Sequence, residues 1–116
     1  MNRRRVKITG IGPVTPAGIG REAFWKGILE PVSRVTKIKR FPEEAGTFLA
    51  AEVKDFRLEN YAPGVSSKRM PRHTQFAVAG AHLALADAGL EMSELRGRSP
   101  LVMVGASLMD FGAINK

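Results

Sequence analysis

Catalysis at a protein surface needs a nucleophile, a proton carrier or a metal ligand, and this sequence of 116 residues offers few of them. It contains no cysteine, so thiolate nucleophiles, disulfides and thiolate metal sites are excluded within it. Two histidines occur, His73 and His82. Each falls in a stretch of helical character without a second ligand four residues on, which is the pattern of a packed or surface histidine rather than of a catalyst or metal ligand. Residue types alone therefore assign no catalytic residue, no cofactor and no metal site.

The elements that would position any chemistry are easier to read. Val6-Lys7-Ile8-Thr9-Gly10-Ile11 has the branching of a short strand, and Gly10 and Gly12 allow close backbone approach or positive φ. Thr15-Pro16 then fixes an extended turn. Ile19, Phe24, Ile28 and Leu29 recur at helical spacing between Gly20 and Pro31, with Arg21, Glu22 and Lys26 outward. Phe24 and Trp25 are adjacent and cannot share a face, so one is expected in the core and the other under a neighbouring loop or partner chain. Residues 32–40 alternate loosely and are cationic, as in an exposed extended segment, and residues 47–53 form a second strand. Residues 57–68 read as loop with one helical turn.

Residues 72–88 give the strongest pattern, a helix apolar nearly all round and rich in alanine. Such a helix is normally buried between layers. Gly80 in its interior costs about 1 kcal/mol relative to alanine, a cost best explained by close approach of another backbone. Gly89 caps it, with Leu90 as the accompanying hydrophobic contact. Leu101-Val102-Met103-Val104 is a continuous apolar run of strand length, as in a strand covered on both faces, and Gly105 closes it. The order β-α-β-α-β indicates an α/β layered fold over one domain, 1–116.

Composition sets further bounds. With 44% apolar residues and mean hydropathy −0.10, the sequence is that of a globular polypeptide. No run of about 18 apolar residues and no secretory pattern follows Arg3-Arg4-Arg5, so no membrane span is expected and the cytoplasm is the expected compartment. The charge is one-sided: residues 1–40 hold ten Lys/Arg against two Glu, whereas residues 41–116 hold eight against nine acids. A solvated basic surface or an acidic protein partner accounts for this. Nucleic acid is not expected, because no zinc pattern, recognition helix or aromatic-interleaved basic sheet accompanies the charge.

Taken together, residues 6–20 followed by Phe24-Trp25, then Ala51-Glu52-Val53-Lys54-Asp55-Phe56, Arg69-Met70, Thr74-Gln75-Phe76-Ala77 and Ala84-Leu85-Ala86-Asp87-Ala88-Gly89-Leu90 resemble, in order and spacing, the amino-terminal portion of the β-ketoacyl-acyl carrier protein synthases of the thiolase superfamily. The resemblance covers about residues 4 to 107, and it implies a layered thiolase-like fold and decarboxylative condensation of an acyl thioester with malonyl-acyl carrier protein. It also implies acyl carrier protein as the acidic partner, and a homodimer or a heterodimer with a related subunit.

The family's nucleophilic cysteine, two histidines and lysine lie further along than this sequence reaches, so the 116-residue chain alone is expected to be inactive. One site residue carries over. The family's Gly-Ser/Thr-Gly-Ile-Gly-Gly turn directs a branched side chain into the acyl channel, and its equivalent here is Gly105-Ala106-Ser107-Leu108-Met109-Asp110, which makes Leu108 the substrate-binding candidate. Three of that turn's glycines are replaced, Pro13 stands in the first loop, and Pro71-Arg72-His73 replaces the family's Asp-Arg-Phe. These departures keep open a non-catalytic subunit resembling the chain-length factors of polyketide systems.

Overall fold

A computed structural model describes residues 4–39, 42, 44 and 46–107 of the chain. Two antiparallel ribbons and two helices organise them. The first ribbon pairs β1 (Val14–Thr15) with β2 (Gly18–Ile19), Val14 opposite Ile19 and Thr15 opposite Gly18. Thr15 makes this turn by itself. Its hydroxyl donates to the Gly18 carbonyl at 2.9 Å and accepts from the N–H groups of Ala17 and Gly18, so Thr15-Pro16 builds a tight hairpin rather than the extended turn expected.

Helix α1 (Arg21–Leu29) follows directly and ends where expected, because Glu30, held extended before Pro31, cannot continue it. Gly27 lies on the hairpin loop so closely that a Cβ there would stand 1.8 Å from the Ala17 carbonyl oxygen. Phe24 is half-buried and Trp25 is 61% exposed, which divides the adjacent aromatic pair between the two faces. The second ribbon pairs β3 (Thr36–Lys37) with β4 (Leu49–Ala50), also antiparallel, and only this pair of residues carries the strand expected over 47–53.

The core lies beneath helix α2 (Arg72–Asp87). Phe56, Leu58, Ala62 and Ala79 are buried, and Phe56 stacks on Tyr61 with centroids 5.6 Å apart while meeting Phe76 edge-on at 4.9 Å. A 3-10 turn at Leu58–Asn60 carries Leu58 into this cluster. Arg72 fastens the arrangement. Its guanidinium carbon lies 4.9 Å from both the Phe56 and Phe76 ring centroids, and its terminal nitrogens donate to the carbonyls of Phe56 and Val53 at 3.2 and 3.0 Å. At the other end Gly89 adopts φ 66°, and the N–H groups of Gly89 and Leu90 donate to the carbonyls of Ala86 and Leu85, which closes α2 in a Schellman motif.

The β-α-β-α-β order does not describe this arrangement. Residues 6–11 and 101–104 run without a strand partner among the described residues; Val6 and Ile8 are 91% and 86% exposed, and Leu101 to Val104 between 71% and 85%. The reason is physical: branched apolar composition favours a strand, but a ladder requires a neighbouring strand whose N–H and C=O groups complete it, and among the described residues no strand pairs with either run. Helix α2 is likewise covered on two sides rather than all round, leaving Ala77, Ala81 and Ala86 exposed.

Candidate functional site

Backbone also packs on backbone where the glycine-punctuated segment meets α2. A Cβ on Gly10 would lie 2.1 Å from the Ala84 carbonyl oxygen, and one on Gly12 would lie 1.9 Å from that of Gly80. A Cβ on Gly80 would in turn stand 3.0 Å from the Gly12 carbonyl oxygen. Backbone therefore rests on backbone, which explains both the glycines of the loop and the glycine inside the helix. Of the two roles open to Gly10 and Gly12, close approach is the one used, since neither is among the residues of positive φ.

Asp87 closes this junction electrostatically. One carboxylate oxygen accepts the Ile11 N–H at 3.0 Å and the other lies 2.7 Å from the Arg21 guanidinium, so one side chain of α2 ties the incoming segment and α1 together. Sequence reasoning assigned no role to Asp87 or to Arg72. The signal for Asp87 was present, a single carboxylate among small apolar residues at the end of α2.

The histidines do not converge. His73 and His82 are nine residues apart on α2, two and a half turns, which sets them on opposite sides of the helix. Both are half-buried, and the His73 Nδ1 is buried without a hydrogen-bond partner. No group of three or more His, Asp or Glu side chains capable of holding a metal occurs among the described residues. Ser67, in contrast, donates its hydroxyl and its N–H to the Glu59 carboxylate, and these hydrogen bonds hold Glu59 below the usual glutamate range.

Gly105, Ala106 and Ser107 are exposed, and nothing lies within 4 Å of a Cβ built on Gly105. Leu108, the expected acyl contact, lies outside the described residues. Among the described residues no helix is long and apolar enough to cross a membrane.

Residues 3–115 match the family described as "Beta-ketoacyl synthase, N-terminal domain", and the chain belongs to this family. It is similar to proteins named 3-oxoacyl-[acyl-carrier-protein] synthase 2. It is 33% identical to that of Synechocystis over 93% of this chain and 26% of the relative. To that of Staphylococcus aureus strain COL it is 33% identical over 90% and 26%, and to that of Vibrio harveyi 33% over 93% and 26%. The chain thus spans about a quarter of the length of these relatives. No solved structure gives a significant match.

Proposed function

We propose that the chain is the amino-terminal part of a 3-oxoacyl-[acyl-carrier-protein] synthase that elongates fatty acyl chains. The observation that carries this reading is the match of residues 3–115 to the synthase amino-terminal domain, joined to relatives named as such synthases, of which the chain spans about a quarter. In the reaction, a cysteine thiolate takes the acyl group from its carrier thioester and releases the carrier thiol. Loss of carbon dioxide from malonyl-carrier then yields an enolate, which attacks the enzyme thioester and expels the thiolate. Residues 1–116 contain no cysteine, so within this proposal they supply architecture rather than the reacting groups.

That architecture is the first part of a layered thiolase-like domain in which residues 6–11 and 101–104 become strands once sheet neighbours are supplied. Their exposed apolar side chains support the reading, since apolar runs of this size are normally covered. A dimer, an acidic carrier protein meeting the basic front of the chain, and a cytoplasmic site of action belong to the same reading. On this reading Leu108 contributes to the wall of the acyl channel.

Two measurements test the proposal. The purified 116-residue chain should transfer no acyl group from acyl-carrier protein, whereas a protein extended along the same reading frame should condense it with malonyl-carrier; transfer by the short chain alone would sink the assignment. In the extended enzyme, Leu108→Phe should shift preference toward shorter acyl chains by roughly ten- to a hundredfold, because overfilling a packed apolar site costs about 1–3 kcal/mol. An unchanged ratio of short- to long-chain rates in a folded variant removes Leu108 from the site. Ser107, Met109 and Asp110 in place of the family's glycines favour one second reading, a non-catalytic chain-length-factor-like subunit. The absence of a nucleophilic cysteine from the extended reading frame would select it.

A further inference from the structure

We draw no further inference here: the strongest candidate, the apolar surface patch that Ile11 lines together with Phe24 and Trp25 of α1, carries nothing, because nothing in the structure shows what covers it.

Discussion

Gly12 tests how much depends on a missing side chain. Adding one methyl group puts a carbon 1.9 Å from the Gly80 carbonyl oxygen, a backbone atom of α2 that cannot swing aside. Gly12→Ala should therefore destabilise the chain by about 3 kcal/mol, the upper end for overpacking. Gly105→Ala, which meets nothing within 4 Å, is the control, and chemical denaturation should separate the two clearly. Glu59 makes a smaller, pH-dependent contribution. The Ser67 hydroxyl holds its pKa below the usual glutamate value, so the stabilisation is present above the ordinary glutamate range and is lost as pH falls through the lowered value. In Ser67→Ala the Glu59 titration, followed by carboxyl carbon NMR, should move upward, and an unmoved midpoint would show that the hydroxyl is not its cause.

Among the elements, α2 was legible almost entirely from sequence, including its interior glycine and its Gly89 cap, because each of those signals is local. The segment below it was not. Leu58 sits between Arg57 and Glu59-Asn60, where one apolar residue gives no periodicity, yet it is fully buried because α2 lies over it. Leu58→Ala should cost at least about 2 kcal/mol in denaturant midpoint and slope analysis, whereas Leu101→Ala, at a position 84% exposed, should stay within about 0.5 kcal/mol. The strands misled for the converse reason. Val6, Ile8 and residues 101–104 have strand composition, but a strand is a relation between segments and composition cannot name the neighbour.

At the scale of the whole molecule, charge and apolar surface are arranged in complementary ways. The positive charge is concentrated in residues 1–40, while apolar side chains stand exposed on two extended runs at opposite ends of the described chain. The proposed synthase gives each a use, the first toward an acidic carrier and the second toward sheet neighbours. The junction between residues 10–12 and α2 has a further genetic implication. Where two side chains set a spacing, enlarging one can be rescued by trimming the other. Here glycine faces glycine across main-chain atoms, and no smaller residue exists on either side. A screen for second-site suppressors of Gly12→Ala should thus find no compensating change at position 80, and any revertant must come from a true restoration of glycine or from global stabilisation elsewhere.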